Sequence, residues 1–196
     1  MVRDDGLLQF TDEHYIALGK LLVSFQSLEH TAAAELTRLI NPHPSDFTNA
    51  LGGFETIVFL ELPFKKRMAL IRHFLWSIPE ADKPNETQRL ADFTQYIERL
   101  DKAVGMALKA EETRNSLIHS QWIGGGACGI AGNPPELVMR RKFNVHRKPE
   151  NQPEHYMTPQ DILELVERIK MTDRELSESA CNVALHVAHT REHGRQ

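Results

Sequence analysis

Cysteine is scarce in this chain. Cys128 and Cys181 are its only two, and they lie far apart. They do not support a disulfide framework, so the expected setting is reduced and cytoplasmic. Long hydrophobic runs are also missing. None approaches the roughly 20 apolar residues that span a bilayer, so no membrane association is expected. Residues 1–6 are polar and acidic rather than apolar, which does not suit a secretory signal. No charge sign dominates, with 23 Lys and Arg against 27 Asp and Glu and a net charge of −4. That balance argues against non-specific coating of nucleic acid but leaves room for a local basic site.

Familiar catalytic signatures are absent too. There is no Gly-x-Ser-x-Gly, no His-Glu-x-x-His and no Rossmann fingerprint. Gly124-Gly125-Gly126 lacks the Gly-Lys-Ser/Thr ending of a phosphate loop and reads as a flexible turn. Cys128 has no evident positioned base, so thiol catalysis is not expected. His186, His189 and His193 recur at three- and four-residue steps, but no Cys or carboxylate completes an evident ligand set, although Glu192 is near. They read as a frayed polar tail. Neither a metal nor another cofactor is expected.

What is present is helical periodicity. At 196 residues, the chain is long enough for one domain with a real core. Residues 11–40 read as a long helix, with Leu18, Leu21, Leu22, Phe25, Leu28, Ala32, Leu36 and Leu39 on a buried face. Thr11 or Asp12 can cap it, and Asn41-Pro42 ends it. Glu29 also falls at a core-facing step, where a carboxylate needs a partner; Arg114, Lys66 and Arg67 are the candidates. Residues 54–78 read as mostly helical, broken near Leu62-Pro63, with Pro63 in the first turn of the helix that follows.

Residues 86–119 form the next helical pattern, with Leu90, Phe93, Ile97, Leu100, Val104 and Leu108 on its stripe. Gly-rich and Pro-rich sequence then predicts a β-hairpin-like insertion over 121–157. Thr158 and Pro159 open a last helix, with Ile162, Leu165, Val166, Ile169, Leu176, Ala180 and Val183 on its inward stripe. The expected fold is an all-α bundle carrying that insertion.

Chemistry concentrates at the end of the third pattern, in Arg114-Asn115-Ser116-Leu117-Ile118-His119, with Trp122 just after. Arg-x4-His also occurs at Arg38…His43 and Arg141…His146, but only Arg114…His119 follows a sustained helical stripe with Asn beside the Arg. A cation, an amide and an imidazole within about one and a half turns suit a phosphodiester. Arg114 and His119 are five apart, about 140° round an ideal helix. A loosened helix end, or a two-fold dimer, would aim both at one phosphate. Asn115 and His119 share a face and can hydrogen-bond, and Glu111 reaches either Arg114 or Asn115. Arg140, Arg141, Lys142, Arg147 and Lys148 supply five of the 23 cations in one short segment, and read either as an RNA-contacting strand or flap or as a solvated hairpin.

The hexapeptide with Trp122 resembles the HEPN family, the "higher eukaryotes and prokaryotes nucleotide-binding" helical domains. Phe25-Gln26-Ser27-Leu28-Glu29 and Leu62-Pro63-Phe64-Lys65-Lys66-Arg67 extend the likeness over roughly residues 18–122. The resemblance implies a single domain over 1–196 with an up-and-down bundle of four to five helices, and a homodimer. It also implies metal-independent endoribonuclease activity, in a toxin or phage-defence role with a protein antitoxin or regulator. Arg114 would stabilise the phosphate, His119 would act as general acid or base, and Asn115 would orient the site, with Glu29 and Glu111 in support. Non-catalytic members imply an alternative, an RNA-, nucleotide- or protein-binding module. The insertion at 121–157 departs from the minimal pattern.

Overall fold

The computed structural model describes residues 11–42, 58–79, 82–83, 87–123, 138–142 and 154–193. Among them, four long helices dominate: α1 (Asp12–Ile40), α2 (Phe64–Trp76), α3 (Thr87–Ile118) and α4 (Pro159–His193). The all-α bundle expected from periodicity is the fold observed. Three short strands lie between α3 and α4: β1 (Ser120–Ile123), β2 (Val138–Lys142) and β3 (Glu154–Met157). They form one antiparallel sheet in the order β1-β2-β3. The segments joining them, 124–137 and 143–153, lie outside the described residues, and with them most of the expected insertion.

Helix ends follow local chemistry. Asp12 and Glu13 occupy the first turn of α1 and Arg38 its last, each sign matched to the helix dipole. Thr11 precedes them, and its carbonyl accepts from the N–H groups of His14 and Tyr15. The start of α4 is a reciprocal cap. Asp161 N–H donates to Thr158 Oγ1 at 3.2 Å, and Thr158 N–H donates to Asp161 Oδ2 at 2.7 Å. Pro63 sits one step earlier than the first-turn position suggested by the sequence. It is the N-cap of α2, with φ −53° and ψ 140°, and its carbonyl accepts from the N–H groups of Lys66 and Arg67. The proposed frayed tail is helix instead, since α4 continues through His193.

The chain divides into two compact units, 1–25 with 111–168 and 26–110 with 169–196. In the first, Ala17, Leu21, Phe25, Leu117, Ile162 and Val166 are buried. In the second, Leu28, Leu36, Met68, Ile71, Phe93, Leu100 and Leu176 are fully buried. The buried face of α1 is centred on Leu21, Phe25, Leu28, Ala32 and Leu39, alternating steps of three and four with one longer step. Leu22, expected on it, is 46% exposed. One residue is about 100° of rotation, enough to carry it off the core face.

The same rotation moves Glu29 to the flank, and the buried carboxylate of α1 is Glu35. Glu35 accepts from Arg38 Nη1 at 2.8 and 2.6 Å and from Ser177 Oγ at 2.9 Å. Nearby in the second unit, Ser27 Oγ donates to Asp173 Oδ2 at 2.9 Å, a second polar tie to α4.

Candidate functional site

Arg114, Asn115 and His119 all belong to the first unit, at the point where α3 ends. The helix stops at Ile118. His119 N–H still donates to the Asn115 carbonyl at 3.1 Å, closing the last turn. Ser120 Oγ caps the same turn by donating to the Ser116 carbonyl, and β1 begins at that residue. His119 is therefore the hinge residue between helix and strand, and its side chain is exposed.

Arg114 is half-buried, and Asn115 and Phe25 are among the residues it contacts. Its Nη1 donates to Asn115 Oδ1 at 2.6 Å, and its guanidinium carbon lies 4.4 Å from the centroid of the Phe25 ring. Phe25 is 1% exposed, so the ring is a fixed wall from α1. The expected side-chain bond between Asn115 and His119 is replaced by this arrangement: the Asn115 amide oxygen faces Arg114, and only the backbones of Asn115 and His119 are joined. Glu111 Oε2 is buried and accepts no hydrogen bond among the described residues.

Glu29 is paired with Arg67, one of its three sequence candidates. Arg67 Nη2 lies 3.6 Å from Glu29 Oε1, and Arg67 Nη1 donates to the Glu29 carbonyl at 2.7 Å. The Arg67 guanidinium also lies 5.5 Å from the Phe64 ring centroid. Glu29 thus contributes to a structural ion pair in the second unit.

The basic segment is described in part. Arg140, Arg141 and Lys142 are the last three residues of β2, whereas Arg147 and Lys148 lie outside the described residues. Register joins this strand to the end of the motif: Ser120 is opposite Lys142, Gln121 opposite Arg141, and Trp122 opposite Arg140. On the other side, Arg140 is opposite His155 and Arg141 opposite Glu154. Backbone pairing therefore begins one residue after His119, with the basic strand as the partner.

The C-terminal histidines have separate roles. The His186 ring packs 5.9 Å from Phe93 and 5.6 Å from Tyr96, centroid to centroid. Burial lowers its pKa; Asp92 opposes that shift, while His189 and Arg89 add to it. Arg89 Nη1 donates to His189 Nε2 at 3.0 Å, so that nitrogen is the acceptor. No group of three or more metal-competent side chains occurs among the described residues.

Sequence reasoning missed the role of Phe25 against Arg114, and Glu35 altogether. Phe25 was legible as a core residue, but a ring that supports a distant guanidinium leaves no local signal. Burial raises the pKa of Glu35 above the ordinary carboxylate value; Arg38 and Ser177 pull it back, and Asp173 adds to the rise. Burial likewise pushes the Cys181 thiol up, which does not suit a reactive thiolate.

No family model matches this chain, and no curated protein or solved structure does.

Proposed function

We propose that this chain is an HEPN-like, metal-independent endoribonuclease. The observation that carries the reading is the passage from α3 into the sheet. The last turns of the helix carry Arg114 and Asn115, an exposed His119 follows its end, and the next strand pairs at once with a strand ending in Arg140, Arg141 and Lys142. A phosphodiester chain needs that combination: cations along the backbone and a proton-transfer group beside one phosphate.

RNA supplies its own nucleophile. A base removes the 2′-hydroxyl proton, the 2′-oxygen bonds to phosphorus, and the bond from phosphorus to the 5′-oxygen breaks. The departing oxygen takes a proton. The products are a 2′,3′-cyclic phosphate and a 5′-hydroxyl, and no metal is required to make the nucleophile. His119 is assigned proton transfer, and Arg114 stabilisation of the charged phosphorane. Asn115 holds Arg114. A homodimer would supply a second His119 for the other proton and meet the angular separation of Arg114 and His119 on one helix. The setting proposed with this chemistry is cytoplasmic toxin or phage-defence activity restrained by a protein antitoxin.

A second reading is a non-catalytic RNA- or protein-binding module. The engagement of the Arg114 guanidinium by Phe25 and Asn115 favours it, because such contacts also serve a purely structural arginine.

The deciding experiment incubates labelled single-stranded and structured RNA with the protein in excess EDTA, beside His119→Ala. Cleavage leaving cyclic-phosphate ends, reduced roughly 100-fold or more in the variant, is expected. An inactive wild type from about pH 6 to about pH 8, the span over which histidine changes charge, would transfer the assignment to the binding module.

A further inference from the structure

Arginine is a long side chain with many rotamers, and a phosphate site needs its guanidinium in one place. Asn115 and Phe25 are among the residues that restrain Arg114. Asn115 is its neighbour in sequence, so that bond, at 2.6 Å, moves with the same stretch of helix and sets the guanidinium only relative to α3. The Phe25 ring belongs to a different helix. It lies 4.4 Å from the guanidinium carbon, well within the roughly 6 Å reach of a cation–π contact. The ring is 1% exposed and held among the buried residues of the first unit, so it cannot follow the arginine if the arginine moves. Arg114 is itself half-buried, which strengthens attraction to the ring face by limiting competition from water.

We propose that Phe25 is a positioning residue for the Arg114 phosphate site, holding the guanidinium through the face of its ring in the pose that meets the transition state. This rests on the ribonuclease reading above. An aliphatic side chain of similar size would fill the same space without a negative ring face. The contact would then lose its electrostatic part while the core stayed closed. Because charge on the phosphorane exceeds charge on the ground-state phosphate, a loosened Arg114 affects kcat more than KM.

The test replaces Phe25 at that site alone with phenylalanines carrying one, two and three ring fluorines. They keep the ring's shape and progressively remove its negative face. Cleavage of a labelled single-stranded RNA in EDTA is measured for each, with urea unfolding as the fold control. The expected result is a graded fall in kcat, roughly 2- to 30-fold for the trifluoro ring, with KM little changed. A trifluoro protein that unfolds at the wild-type midpoint and cleaves at the wild-type rate overturns the proposal.

If wild type cleaves no RNA, the nuclease reading fails by itself. The hold on Arg114 is then decided by a double-mutant cycle of Phe25→Leu and Arg114→Met in urea. Non-additive midpoint shifts keep Phe25 as the residue that holds Arg114; additive shifts overturn that as well.

Discussion

At the scale of single residues, the two most informative side chains are a cation placed on a ring and a carboxylate placed in a core. Arg114 shows how one guanidinium can be ordered by a neighbour on its own helix and by a phenylalanine from another. Glu35 is 2% exposed and keeps its carboxylate among Arg38, Ser177 and Asp173. Its pKa is raised, so the folded protein binds that proton more tightly than the unfolded chain does. Its contribution to stability therefore falls as pH rises from the ordinary carboxylate pKa to the raised one, and is level above it. Glu35→Gln removes this dependence. Urea unfolding across that range should show wild type losing stability relative to the variant as pH rises; a constant difference would contradict the assignment. Glu29 was legible as a carboxylate that needed a partner, and Arg67 was among its candidates. Glu35 was not legible, because residues 32–36 are all buried, so no single-face pattern distinguishes it.

Helices make their own predictions. The start of α4 rests on the exchange between Thr158 and Asp161, with Pro159 in the first helical position. Thr158→Ala should destabilise the protein by about 1 kcal/mol, while Thr158→Ser should cost little, both read from urea midpoints. Gly19 lies inside α1, and a Cβ built there meets nothing within 4 Å. Gly19→Ala should therefore stabilise the protein by about 0.5–1 kcal/mol, from reduced backbone freedom in the unfolded chain. A thermal midpoint unchanged or lowered in that variant would show that the exposed glycine has another role. Helix identities and most core positions were readable because apolar spacing and cap chemistry are local. The exposure of Leu22 was not, because which neighbouring face of a helix turns inward depends on what packs against it.

For the whole molecule, the important balance is between a net charge of −4 and one basic segment of the chain. An acidic protein that binds RNA must do so locally, so its affinity should depend on a few cations. Replacing Arg140, Arg141 and Lys142 together with alanine should weaken single-stranded RNA binding and lower the steepness of its logarithmic salt dependence by about 2. A full salt dependence in the triple variant would place the contacts elsewhere. The chain's two compact units each carry their own buried residues, and Arg114, Asn115, His119 and the basic strand belong to the same unit.

The long helical stripes, the Thr158 cap of α4, the hexapeptide ending in His119 and the cluster of cations were readable from the chain alone. Those features depend on residues near one another in the chain, where periodicity and side-chain chemistry act directly. Only the three-dimensional packing set Phe25 beneath Arg114, paired Arg67 with Glu29, and placed the basic strand beside the strand that follows His119. Each of those contacts joins distant segments, and burial and strand register, not local propensity, select the partner.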